Sequence, residues 1–161
     1  MINHADVVVI GGGIVGTAAT YFLSKFGAEV CLVDCGSIAS GTSGAGEGNL
    51  IVSNKHPGPE MELGKLAMKT WADLVEELPV DLEYDQKGSL LFTDTETGAD
   101  ALAERVKIVE AKGIEGYLMD LQQMRECKPY LTEAVTGVAL FPGDARLLGN
   151  GRCSPSKRGR D

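Results

Sequence analysis

Residues 6–34 read DVVVIGGGIVGTAATYFLSKFGAEVCLVD. An apolar strand, Val7 to Ile10, runs into glycines at Gly11, Gly13 and Gly16. Ile14, Val15, Ala18, Ala19, Phe22, Leu23 and Phe26 then follow at helical spacing, and Gly27 closes the helix. A second strand, Val30 to Val33, ends on Asp34, 23 residues after Gly11. Strand, glycine turn, helix, strand and acid form the fingerprint of a dinucleotide-binding βαβ unit. Gly11 allows the tight turn, Gly13 lets the backbone approach a pyrophosphate, and Gly16 lets the helix pack on the sheet. The start of the helix offers unpaired N–H groups and a positive dipole end to phosphate. The Asp34 carboxylate suits ribose hydroxyls and repels a 2′-phosphate, which disfavours an NADP-like ligand. Val7 to Ile10 is apolar at every position, as in strands buried on both faces.

The chain has 161 residues, enough for one domain with a sizeable core. Its net charge of −8 argues against nucleic acid and anionic membrane as partners. No apolar run approaches the ~20 residues of a transmembrane helix, and the N-terminus lacks the basic start of a signal peptide. Cys31, Cys35, Cys127 and Cys153 form no C-x-x-C pair. They read as free thiols in a reducing cytoplasm, with Cys31 in a buried strand. His4 and His56 lie in unrelated contexts, so no metal site is expected.

Residues 35–49, CGSIASGTSGAGEGN, mix glycine with serine and threonine. A flexible loop has this composition, and so does a loop lying against a ligand. Its place directly after the acid favours the ligand. A helix is expected from about Glu60 to Leu78, stopped by Pro79, with Leu63, Leu66, Ala67, Trp71, Leu74, Val75 and Leu78 on one apolar face. Residues 82–85 and 89–92 are expected to pair as a hairpin around Gln86-Lys87-Gly88. Thr95 or Thr97 caps a helix to about Lys112 with Ala99, Leu102, Val106 and Val109 inward, and Gly113 closes it. Tyr117 to Met119 reads as a short strand. Asp120 with Gln123 starts a short helix ending before Pro129. Val135 to Phe141 reads as the final strand.

Taken in order, four blocks resemble the D-amino-acid-oxidase-like family of FAD-dependent oxidoreductases. That family includes glycine oxidase, sarcosine oxidase, D-amino acid dehydrogenases, the opine oxidase β subunit and a hydrogen cyanide synthase subunit. The blocks are VVVIGGGIVGTAATYFLSKFGAEVCLVD, ASGTSGAGEGNL, ELGKLAMKTWADLVEEL with YDQKGSLLF, and LMDLQQMRECKPYLTEAVTGVALFPGDA. The resemblance covers roughly residues 6–145. It implies an α/β fold, with a Rossmann-like FAD-binding βαβ domain over residues 1–78 and the beginning of an α+β substrate domain over 79–145. It implies FAD with its pyrophosphate at Gly11, Gly13 and Gly16, beside Ile14 and Val15, and its adenosine ribose on Asp34, next to Cys35. Ser40, Thr42, Ser43, Gly46 and Asn49 would line the stretch toward the ribityl chain and ring.

The implied chemistry is oxidation of the C–N bond of a small amine or amino acid by hydride transfer to flavin, giving an imine that hydrolyses. No side chain is identified as catalytic. Asp34 departs from the glutamate many such flavoproteins place at the ribose, and it also suits NAD. An NAD-dependent dehydrogenase, a non-catalytic nucleotide-binding fragment, and a subunit docking a partner or its own copy are therefore the alternatives.

Family members run to more than twice this length. Residues 1–145 hold 10 basic and 22 acidic side chains, whereas residues 146–161 hold five basic and one acidic. This basic tail is expected to be disordered, in a truncated product or a segment read from another frame.

Overall fold

A computed structural model describes residues 4–147. Among them, residues up to Gly48 form one compact unit and Asn49–Leu147 another.

In the first unit, β1 (Val7–Ile10) leads through the glycine turn into α1 (Ile14–Lys25), and β2 (Val30–Val33) returns parallel to β1. Register runs from Val7 opposite Val30 to Ile10 opposite Val33. At the end of α1, Gly27 takes φ +92°, and the amides of Gly27 and Ala28 donate back to the Ser24 and Leu23 carbonyls. Only a residue without Cβ enters this left-handed conformation cheaply, so the helix stops there.

The expectation of a strand buried on both faces needs correction. A Cβ built on Gly16 of α1 comes 3.4 Å from Val9 Cγ1, so Val9 faces the helix. Strand alternation turns Val8 and Ile10 the other way, where they are 58% and 86% exposed. Cys31, expected in a buried strand, is only half-buried. α1 covers one face of a two-stranded sheet, and a second cover is what the apolar sequence anticipates.

The second unit contains β3 (Asn49–Leu50), α2 (Pro59–Glu77), β4 (Ser89–Thr93), α3 (Glu96–Glu110), β5 (Tyr117–Leu118), α4 (Leu121–Cys127), β6 (Gly137–Phe141) and β7 (Ala145–Arg146). β4, β6 and β5 form an antiparallel sheet with β6 central. α3 packs on it through Val106 and Val109, with Leu102 at the margin of the core, as its periodicity predicts. The Thr95 hydroxyl accepts the Gly98 amide, and the Asp120 carboxylate accepts the Gln123 amide at 2.9 Å. These capping bonds fix the starts of α3 and α4. Met61, Ile114, Ala139, Phe141 and Val52 complete the core.

Three sequence expectations are corrected here. Residues 82–85 form no strand. β4 pairs with β6, while Asp85 makes a single bridge to Arg146. The local turn signal at Gly88 is real (φ +80°), but a Cβ there would come 3.0 Å from the Phe141 carbonyl, so Gly88 serves close approach to the end of β6 rather than a hairpin.

On α2, Leu63 and Leu66 are 66% and 60% exposed, whereas Met61 is fully buried and Met68 packs on the core. Gly64 explains the choice of face. Its bare Cα admits Val52, whose Cγ2 would lie 2.9 Å from a Cβ. The helix itself starts with Pro59 in its first turn and ends at Glu77, with Leu78 as its cap before Pro79, close to expectation.

Finally, Arg146, expected to open a disordered tail, belongs to β7 and pairs with Asn49. The remainder of that tail, from residue 148, lies outside the described residues. Among the described residues no helix is long and apolar enough to cross a membrane.

Candidate functional site

The first unit gathers most of the candidate residues at the carboxyl ends of its two strands. Gly11 continues the ladder, donating its amide to Val33 O at 2.8 Å, and turns out of the strand at φ +108°. A Cβ on Gly16 would sit 1.8 Å from the Gly11 carbonyl oxygen, so only glycine permits this helix-to-turn contact. Gly13 precedes α1 and offers no side-chain cap, and no acidic residue occupies the first turn. A helix start of this kind suits an anion electrostatically.

Asp34 leaves β2 and turns toward the glycine turn. One carboxylate oxygen accepts the Gly12 amide at 2.6 Å, and the other accepts the Gly36 amide at 2.7 Å. The Gly12 amide first, then the Gly36 amide, and finally a bond with the Cys35 side chain hold this carboxyl below the usual carboxylate range, against a smaller opposing effect of desolvation. Asp34 is exposed, and each oxygen keeps a lone pair for a further donor.

The small-residue loop folds back on the same turn. Ala39 donates its amide to Gly12 O at 2.9 Å, and the Ser43 hydroxyl accepts the Ile14 amide at 2.9 Å. The loop is therefore not a slack connector. Its close passages need small residues, since a Cβ on Gly12 would meet Ile38 Cδ1 at 2.4 Å and one on Gly44 would meet Ala39 O at 2.1 Å.

These contacts change the expected picture of the helix start. The Ile14 amide is not unpaired, because Ser43 caps it across 29 residues. Ser43 thereby stands at the start of α1, next to Gly13, rather than farther along the loop. Ile14 and Val15 are exposed there. Ser40 lies beside Gly36, with its Oγ 3.3 Å from the position of a Gly36 Cβ. Thr42 and Ser43 carbonyls face the turn through Ala45 and Gly46. Asn49 belongs to the second unit, as the first residue of β3.

Sequence reasoning passed over Gly12, whose amide meets Asp34 and whose carbonyl meets Ala39; the middle glycine of the GGG run was its visible signal. It also passed over Asp144, which no spacing rule singles out.

The residues present suit a dinucleotide: a Cβ-free turn, a helix start without acid, and a carboxylate fixed at the second strand. A separate cleft of about 440 Å³ in the second unit is lined by Val52, Lys65, Met68 and Glu115 among others. Its lysine is already engaged, by the Glu62 carboxylate at 2.8 Å and by Lys112 O at 3.1 Å.

Residues 6–150 match the family described as FAD dependent oxidoreductase. The chain belongs to this family. The chain is 27% identical over 154 residues to glycine oxidase of Geobacillus kaustophilus, covering 91% of itself and 41% of that protein. The crystal structure of glycine oxidase from that organism superimposes with a TM-score of 0.83 at 26% identity, over 90% of this chain and 41% of the other. It is 28% identical over 130 residues to sarcosine oxidase subunit beta of Rhizobium meliloti, covering 80% of itself and 31% of that subunit. It is 27% identical over 144 residues to a mouse mitochondrial protein named pyruvate dehydrogenase phosphatase regulatory subunit, covering 88% of itself and 16% of that protein. The chain thus spans less than half the length of each. The expected α/β Rossmann-like fold and the family's FAD dependence both stand.

Proposed function

We propose that this chain is the FAD-binding portion of a flavoenzyme that oxidises the C–N bond of an amino acid or small amine. The observation that carries the reading is the interlock of three segments in the first unit: Asp34 on the Gly12 amide, Ser43 on the Ile14 amide, and Ala39 on Gly12 O. Glycine turn, acid and loop are brought to one place, within a chain of a FAD-dependent family.

In this reading Gly11, Gly13 and Gly16, with Ile14 and Val15, hold the pyrophosphate at the positive end of α1. The Ser43 hydroxyl, while accepting from Ile14, donates its own proton to a phosphate oxygen. Asp34 takes the adenosine ribose beside Cys35. Ser40, Thr42, Gly46 and Asn49 line the path toward the flavin. Bound FAD supplies the hydride-accepting centre, and the protein supplies binding and orientation.

A second reading has its own support. A relative is named as a regulatory subunit, and another as a subunit of an oxidase. A chain spanning less than half of such relatives can hold the nucleotide, or dock a partner subunit, without turnover.

The test begins with purified full-length chain titrated with FAD and with NAD. Quenching of flavin fluorescence with no NAD binding is expected. Gly13→Asp places bulk and negative charge at the pyrophosphate and should abolish FAD binding. Retained flavin in that variant overturns the cofactor assignment, and NAD binding in place of FAD supports a dehydrogenase. A flavin-loaded chain inert toward amino acids and secondary amines supports the non-catalytic reading.

A further inference from the structure

The cleft of about 440 Å³ draws every wall from the second unit and lies within the size range of small-molecule sites. Its floor is apolar: Val52 and Ile114 belong to the core, and Met68 packs against it. Its rim is polar, with Lys65 on α2, Gln86 before β4 and Glu115 after α3. Two turns present bare backbone, since a Cβ at Gly113 or Gly143 would meet nothing within 4 Å.

One buried carboxylate ties these walls together. Asp144, 1% exposed, follows Gly143 directly. Its Oδ1 accepts the Val52 amide at 2.9 Å, and its Oδ2 accepts the Ser89 hydroxyl at 2.5 Å. Its backbone carbonyl accepts the Gly88 amide at 3.0 Å, two residues after Gln86. Floor, turn and rim are therefore fixed before anything binds, which lowers the ordering cost of binding.

The rim charges do not neutralise each other. Lys65 turns to the Glu62 carboxylate at 2.8 Å and to Lys112 O at 3.1 Å, which leaves one of its three N–H donors. The Gln86 side-chain oxygen accepts the Tyr84 hydroxyl at 3.3 Å, and its NH2 group remains a donor. Glu115 is exposed and, among the described residues, has no cationic partner. Donors and a free carboxylate on one rim, over an apolar floor, match a molecule that carries both charges and a hydrocarbon side chain.

We propose that this cleft binds a zwitterionic α-amino acid with an aliphatic side chain. Its carboxylate meets Lys65 and Gln86, its ammonium meets Glu115, and its side chain lies over Val52, Met68 and Ile114. The amino acid is a ligand there, with no bond made or broken. The proposal goes beyond the flavin reading and does not depend on it, because no residue of the first unit takes part.

The experiment titrates the full chain, without added flavin, with each enantiomer of leucine, with isocaproate, which lacks the ammonium, and with isopentylamine, which lacks the carboxylate. Calorimetry gives the affinities. Trp71, the chain's single tryptophan, lies three residues beyond Met68 on α2 and reports by fluorescence. Saturable leucine binding, tighter than that of either half-molecule, is expected. Glu115→Gln should weaken leucine by about three- to tenfold, the range of an exposed charge-assisted contact, and leave isocaproate unchanged. Lys65→Met should weaken leucine and isocaproate and leave isopentylamine unchanged. Should Lys65→Met fail to fold, Gln86→Ala takes its place with the same expectation. A wild-type chain without saturable leucine binding, or a leucine affinity that neither substitution changes, overturns the proposal. A chain that binds leucine but no FAD overturns the flavin reading and leaves this one standing; a chain that binds FAD but no leucine does the reverse.

Discussion

The Asp34 carboxylate accepts the Gly12 amide at 2.6 Å across 22 residues, so the acid that ends β2 also closes the turn that ends β1. A residue read from sequence as a ribose ligand is thereby part of the turn that would meet the pyrophosphate. This coupling makes Asp34→Asn informative in two ways. The amide side chain keeps one acceptor and loses the other, so FAD affinity and turn stability should fall together. A variant that loses FAD while unfolding as wild type would separate the two roles.

The pH dependence follows from the same bonds. The folded-state carboxyl is held below its ordinary range, mainly by the Gly12 amide and then by Gly36. A depressed folded value means stability that is present above the unfolded value and is lost as pH falls through the folded one. Urea melts should show the gap between wild type and Asp34→Asn largest near neutrality. The gap should close as pH descends through and below the usual carboxylate range. A gap that stays constant over that descent would remove the ionised carboxylate from the account.

Gly16 and Gly11 should respond unequally to alanine. At Gly16 the new Cβ would collide with Gly11 O at 1.8 Å, and backbone must move. At Gly11 nothing lies within 4 Å, and the cost is the left-handed φ of +108° alone. Gly11→Ala should cost about 1–2 kcal/mol. Gly16→Ala should cost at least the ~3 kcal/mol of a severe overpacking. Equilibrium unfolding followed by circular dichroism ranks them.

Burial on α2 gives a third contrast. Met61 is fully buried in the core, and Leu66 is exposed. Met61→Ala should destabilise the second unit by about 2–5 kcal/mol. Leu66→Ser, on the surface, should stay within about 0.5 kcal/mol of wild type. Equal effects would return α2 to the face its leucines suggested.

The cap on α3 gives a fourth. Thr95→Ala removes the acceptor of the Gly98 amide, at 3.1 Å, and should cost about 1 kcal/mol. Thr97→Ala should cost less, since Thr97 makes no cap. The two melting curves distinguish them.

The first 34 residues were legible because each signal there is local: a strand, a turn that excludes Cβ atoms, a helical period, a terminal acid. The ends of α3 and α4 were legible for the same reason, since Thr95 and Asp120 bond within three residues. What escaped depends on distant partners. Leu63 and Leu66 look like a core stripe until Gly64 and Val52 decide which side of α2 turns inward. Residues 82–85 look like half of a hairpin until β6, some fifty residues on, takes β4 instead. Asp144 has no motif of its own; its meaning comes from amides 91 and 92 residues earlier. Within the candidate site, the acid and glycines were visible, while the Ser43 bond to Ile14 needed the loop's path.

β3 and β7 stand at opposite ends of the second unit's sequence and pair with each other, Asn49 with Arg146 and Leu50 with Ala145. Biosynthesis therefore delivers the first partner long before the second. The Val7–Val33 unit closes through short loops and can form early on the emerging chain, whereas β3, Val52 and Ser53 must wait almost a hundred residues for their partners. A nascent chain that pauses before Asp144 holds an open strand edge throughout the pause, a state exposed to misassociation.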